Sequence, residues 1–293
     1  MTLPTPASES EPGLPGVLAA YQRIVTEYPG SEIAARSLLR MAALQYGRFF
    51  NVDAAQENLT TLIENYGNSV GVVLEAKILL TDVLIAINKL DDAEHLLQEL
   101  TSARFLSADQ QQTVAYGTAQ LAYFKGNFQQ SLEKLDPLSK QVMIDAANDA
   151  IGLQIFIQEH QKENEALLKD YSRAELLVKQ RKLSEALALF QSILQSSPAS
   201  SLQEYASISI GDLQARMHRF TEAVSAYERL QKSFPESILL DKALMRSGRV
   251  YEVCLHENEK AIAAYQKLLE TYPQSLFVNE ARKRIRELRG DTL

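Results

Sequence analysis

One cysteine, Cys254, in 293 residues excludes an intrachain disulfide framework and any multi-cysteine metal site. Lys and Arg number 30 against 37 Asp and Glu, and the net charge of -7 opposes nucleic-acid binding, which needs a basic footprint. The one dense basic run, Arg282-Lys283-Arg284 with Arg286 and Arg289, falls in the last helix and reads as the solvated face of a cap. No apolar run approaches the roughly 18 residues of a transmembrane helix. Residues 1–15 lack the charged start and apolar core of a signal peptide, so the chain reads as soluble as given. Catalytic signals are missing too. His95, His160, His218 and His256 are scattered, and the paired carboxylates Asp91 and Asp92 sit in a turn. Gly211 and Gly248 lie inside apolar helical patterns rather than in a phosphate loop. Cys254 with His256 and Glu257 can be drawn as a thiol or metal site, but its helical position reads as packing. These observations give no enzyme, no cofactor and no metal.

What the chain does have is a repeat. Ser201 to Ser237 reads as two helices and a turn. Ile208, Ile210, Leu213 and Met217 form one apolar stripe, His218-Arg219 the polar turn, and Phe220, Val224, Tyr227 and Leu230 a second stripe before Pro235. Ala186, Ala223 and Ala261 occupy one position of this unit, Phe190, Tyr227 and Tyr265 the position four later, and Pro198, Pro235 and Pro273 the position twelve later. The intervals are 37 and then 38. Upstream, Val17, Ala55, Ala93 and Ser131 continue the register at 38, each followed after four residues by Tyr21, Leu59, Leu97 and Leu135. From Ser131 to Ala186 is 55 residues, one period plus 17, and 17 residues is one additional helix.

The small, aromatic and proline positions at Gly211, Ala223, Tyr227 and Pro235, at Tyr251, Ala261, Tyr265 and Pro273, and at Ala174, Ala186, Phe190 and Pro198 resemble those of tetratricopeptide repeats. The chain departs from that family in its longer period and in having no tryptophan. Gly248 lies thirteen rather than twelve residues before Ala261, which reads as one extra residue in the turn at His256-Glu257. The joints Tyr28-Pro29-Gly30-Ser31, Phe234-Pro235-Glu236-Ser237 and Tyr272-Pro273-Gln274-Ser275 resemble those of bacterial envelope members, the outer-membrane assembly lipoprotein and the Tol–Pal coordinator among them. That implies a periplasmic or envelope setting if a signal sequence is missing, and a cytoplasmic one otherwise.

The expected fold is all-α, a right-handed α-solenoid of tetratricopeptide-like helix pairs with one odd helix near 145–160. A disordered tail is expected over 1–15, an N-terminal array over 16–142, the odd linking helix over 143–163 and a C-terminal array with its capping helix over 164–293. Helix pairs are expected at about 31–66, 69–104, 107–136, 164–197, 201–234 and 238–272. Ser31, Ser200, Ser237 and Ser275 are expected to cap the helices that follow them, Asp145 to cap the odd helix, and Pro137 to end or kink the helix that holds it.

The resemblance also implies where a partner sits, because the first helix of each pair lines a concave groove. Carried over residue by residue, the groove positions are Leu44, Asp82, Gln120, Glu175, Asp212 and Arg249, with Arg40, Ile78, Tyr116, Tyr171, Ile208 and Met245 four residues earlier. Not one of these pairs is the Lys and Asn by which chaperone-binding members clamp a terminal carboxylate. Tyr123 and Tyr205 extend the set. The expected partner-binding groove therefore comprises Arg40, Asp82, Tyr116, Gln120, Tyr123, Tyr171, Glu175, Tyr205, Ile208, Asp212, Met245 and Arg249. It would hold a protein or peptide, with a partner Lys or Arg facing Glu175 and Asp212. The bland alternative is that several of the tyrosines pack between repeats. The function this implies is a non-enzymatic interaction scaffold. The second reading is a structural spacer, or a module that self-associates through its ends, with residues 16–28 resembling a second helix without its first.

Overall fold

The computed structural model describes residues 13–140, 145–196 and 200–290. Among these residues the chain is entirely helical, with α-helices joined by short turns. It divides into two compact units. The first takes residues 13–140, 145–161 and 175–181, and the second 162–174 with 182–196 and 200–290. Residues 1–12 of the expected tail, and Pro198, lie outside the described residues, as does the side chain of Asp145.

In the first unit, α1 (Leu14–Glu27) packs on α2 (Glu32–Leu44), which runs into a π-helical turn at Gln45–Phe49. Then follow α3 (Val52–Asn65), α4 (Val70–Ala86), α5 (Leu90–Thr101), α6 (Ala108–Phe124) and α7 (Phe128–Ser139). Each pairs with the next, as a chain of short turns between amphipathic helices must. Pro137 lies inside α7, and the helix ends two residues beyond it.

The second unit contains α9 (Leu183–Leu194), α10 (Ser201–Arg216), α11 (Phe220–Ser233), α12 (Leu240–Arg249), α13 (Asn258–Thr271) and α14 (Val278–Arg289). A π-helical turn at Val250–Cys254 extends α12.

From Ala55 onward the small residues that set the repeat register are buried completely, whereas Val17, which opens it, is exposed. Ala55, Ala93, Ser131, Ala186, Ala223 and Ala261 are all 0% exposed, and Leu59, Leu135, Tyr227, Tyr265 and Phe190 are at most 1% exposed. A small residue on one helix admits the large side chain of its neighbour, and this alternation lets the helices approach. Ser131 fits there because its hydroxyl donates to the Ala119 carbonyl at 2.8 Å, which satisfies a buried polar group.

The backbone repeats the register independently. Phe50, Asn88, Gly126, Arg181, His218 and His256 all adopt a left-handed conformation in the turn between two helices. Their spacing is 38, 38, 55, 37 and 38, so the 17-residue excess is present in the turns as well. The additional helix that accounts for it belongs to α8 (Asp145–Lys179), a run broken at Asn164, where φ is -161° and ψ is 92°. The Asn164 Oδ1 accepts from the Leu167 N–H at 3.0 Å, so this asparagine ends one helix and caps the next.

Three expectations need correction. Ser237 and Ser275 do not cap α12 and α14 directly. Their hydroxyls accept from Leu239 and Phe277 at 3.2 and 3.1 Å, one turn ahead of the helices, which start at Leu240 and Val278. The extra residue of the last pair is not in the turn at His256, which matches that at His218. It is absorbed inside the helix as the π-helical turn at Val250–Cys254, the usual form of a one-residue helical insertion. Finally, Asp91 and Asp92 begin α5 rather than fill a turn, where they face the helix N-terminus. Asp91 is further held by Lys125 at 2.9 Å.

Candidate functional site

Most of the twelve groove residues are engaged within the chain. In the first unit the inner positions of α4 and α6 meet the end of α8. Lys179 Nζ reaches Asp82 Oδ1 at 2.7 Å, Gln180 donates to Asn88 Oδ1 at 2.9 Å, and Arg181 lies 4.4 Å over the Phe50 ring. Lys179 also comes within 3.5 Å of the Gln120 amide oxygen. Leu176 belongs to the core that Leu84, Leu97 and Leu121 build. Residues 175–181 thus reach the expected groove positions Asp82 and Gln120 and engage them from within the unit.

Tyr123 is 1% exposed, and its hydroxyl donates to Glu175 Oε2 at 2.6 Å. Burial pushes the Glu175 carboxyl up to about 7, and the bond from Tyr123 offsets only part of that rise. Tyr116, half-buried on the same helix, is pushed up to about 12, first by burial and then by the negative charges of Asp149 and Glu175.

In the second unit Tyr171, Ile208 and Met245 are at most 5% exposed, so they pack between helices rather than present surface. The Tyr171 ring meets Phe190 edge-on at 5.2 Å, and its hydroxyl lies 3.3 Å from Ser209 Oγ. Asp212 accepts from the Tyr227 hydroxyl at 2.7 Å and pairs with Arg246. Burial raises its carboxyl, against the pull of Arg246 and Tyr227. Glu252 repeats this arrangement, accepting from the Tyr265 hydroxyl at 2.8 Å and pairing with Arg284. The tyrosines and the arginines are each 38 residues apart but the acids are 40 apart, so Glu252, inside the π-helical turn, serves its pair from about one turn further along the helix than Asp212. Arg249 faces Glu280 at 3.9 Å, and Tyr205 is half-buried on α10. The charges expected to meet a partner at Glu175 and Asp212 are therefore already answered from within.

Arg40 differs from all of these. It is exposed and lines an open cleft of about 560 Å³ between α1 and α2, with Val17, Tyr21, Ala43, Leu44, Gly47 and Arg48. Neither Arg40 nor Arg48 makes a hydrogen bond or ion pair among the described residues. The acids of their own helices are taken, Glu27 by Arg23 at 4.0 Å and Glu32 by Arg36 at 2.7 Å. The groove positions pointed to Arg40 and Leu44. They missed Arg48, which follows Arg40 by eight residues, two helical turns, a spacing that could have marked it.

The histidines and the cysteine offer no chemistry to this cleft. His218 and His256 hold left-handed turns, and His160 is buried edge-on to Phe156 at 4.4 Å. Cys254 is half-buried, and burial pushes its thiol up, away from the reactive thiolate.

With this geometry in place, three segments, 36–69, 205–237 and 242–275, match the sequence profile of the tetratricopeptide repeat family. Those three segments are similar to tetratricopeptide repeats. Each matched segment begins inside the first helix of a pair and ends at the joint to the next. A comparison with curated proteins finds no match. Among solved structures, similar chains include YrrB, described as having an unusual peptide-binding site, at 15% identity and a TM-score of 0.35 over 91% of this chain and 99% of that one. Pseudomonas aeruginosa pilF is similar at 14% identity and a TM-score of 0.33 over 88% and 97% of the two chains. Yeast Tom70 is similar at 13% and 0.36 over 93% and 57%. Likenesses at these scores carry no argument about what this chain binds.

Proposed function

We propose that this tetratricopeptide-repeat chain is a non-enzymatic interaction scaffold whose protein or peptide partner docks in the cleft between α1 and α2. The observation that carries the reading is the contrast between Arg40 and the other groove positions. Asp82, Glu175, Asp212 and Arg249 are answered inside the chain, and Tyr123, Tyr171, Ile208 and Met245 are buried, whereas Arg40 is exposed beside an open, partly apolar cleft. Apolar surface rimmed by unsatisfied charge is what a protein interface needs for affinity and register. The Pro-x-Ser joints support an envelope setting for the scaffold, which fractionation of the source cells tests directly.

The cleft itself is tested with paired baits. A Cβ at Gly47 meets no heavy atom within 4 Å, so Gly47→Leu has room at its root to project into the cleft, and urea unfolding of the variant checks that the fold is kept. A protein captured from lysate by the wild type and lost with Gly47→Leu supports the cleft. Equal capture by both baits contradicts it, and capture of the chain itself favours the structural-spacer reading.

A further inference from the structure

Arg40, Ala43, Leu44, Gly47 and Arg48 stand at i, i+3, i+4, i+7 and i+8, so they share one face of α2 and its π-helical turn. At a rise of about 1.5 Å per residue the two arginines are about 12 Å apart along that face. Between them Ala43 and Leu44 are half-buried and apolar, and Gly47 leaves a notch. Val17, 41% exposed, and Tyr21 wall the cleft from α1.

Resting on the scaffold reading above, we propose that the occupant of this cleft is an amphipathic helix bearing two carboxylates seven or eight residues apart, with apolar side chains between them. Charge is the first argument. On a chain of net charge -7, the cleft is a local basic island whose two guanidinium groups pair with no carboxylate among the described residues. Arginine favours carboxylates because its planar fork donates two parallel hydrogen bonds to them. Spacing is the second. Carboxylates two turns apart on a helix are also about 10–12 Å apart, and the residues at i+3 and i+4 of that helix then face Ala43, Leu44 and the Gly47 notch. Nucleic acid fits poorly, since its phosphates call for a continuous basic track rather than two arginines separated by an apolar floor.

The test pans a phage-displayed library of 18-residue helical peptides against the intact chain, and the best clone is then made as a fluorescent peptide. Enriched clones are expected to carry two Asp or Glu residues seven or eight positions apart around Leu, Ile, Phe or Met. The peptide should bind the wild type and lose at least tenfold in affinity to the Arg40→Glu/Arg48→Glu variant. Its counterpart with Lys in place of the acids should recover binding to that variant, which also shows that the variant is folded. Clones without the acid pair, or affinity unchanged in the charge-reversed variant, overturn this proposal. If such clones still lose affinity to Gly47→Leu, the scaffold reading survives it. If no clone is enriched, both fall. A wild-type dimer in sedimentation that the charge reversal abolishes would assign the cleft to a second copy of this chain and overturn the proposal of a separate acidic helix.

Discussion

Replacing Gly211 with alanine should destabilise the second unit through one contact. An added Cβ would lie 2.3 Å from Tyr227 Cε1 and 2.7 Å from Cδ1 and Cζ, so the ring must retreat by about 1 Å to restore ordinary contact. The ring has little freedom to do so. It is 0% exposed, and its hydroxyl is tied to Asp212 at 2.7 Å, while Asp212 is tied in turn to Arg246. Overpacking of this kind costs about 1–3 kcal/mol. Stretching a hydrogen bond to a charged partner adds a share of about 1.5–3 kcal/mol. Alanine returns about 1 kcal/mol of helix propensity relative to glycine, so the net loss should be about 2–3 kcal/mol. Gly248→Ala should behave alike, since Tyr265 stands at the same 2.3 Å. Gly152→Ala, inside α8 with no heavy atom within 4 Å, should instead gain about 0.5–1 kcal/mol. Urea unfolding of these variants, and of Gly211→Ala in a Tyr227→Leu background, measures the contact. Without the tyrosine ring the alanine should cost nothing. An equal cost in both backgrounds would refute the argument.

Three further outcomes follow from the same structure. Glu175 binds its proton more tightly folded than unfolded, so its contribution to stability is fully present below about pH 4.5 and is lost as pH rises through about 7. Glu175→Gln should therefore flatten the pH dependence of urea unfolding across that window and stabilise the chain at pH 8 by about 3 kcal/mol. Ser107, which accepts from the Gln110 N–H at 3.2 Å while Gln110 answers its backbone at 2.9 Å, should cost about 1 kcal/mol as Ser107→Ala, with the loss seen as faster hydrogen exchange at the start of α6. His256 holds a φ of 56° and is exposed, so His256→Gly should raise the urea midpoint by the equivalent of about 0.5–1 kcal/mol.

The helices and their register were legible in the sequence because packing depends on volume, and volume repeats. Ala223 with Tyr227 and Ala261 with Tyr265 announce their burial by spacing alone. The break at 55 residues was legible for the same reason, although Asn164, the residue that makes it, carries no mark beyond its capping chemistry. The π-helical turn at Val250–Cys254 was not legible, since one extra residue is visible as a count but the count does not say where in the pair it sits. The site was read least well. Position in a repeat tells which face a residue occupies, and cannot tell that Lys179 would return to neutralise Asp82 from 97 residues away. Arg40 was found by position, and its importance emerged only from what the other charges were doing.

Hydrogen exchange of the chain alone and with its captured partner locates the docking face. Slowed exchange is expected only in residues 14–49, the helices and turn that build the cleft, with α10 to α13 unchanged. Protection centred on α10 and α12, or none in α1 and α2, would contradict it.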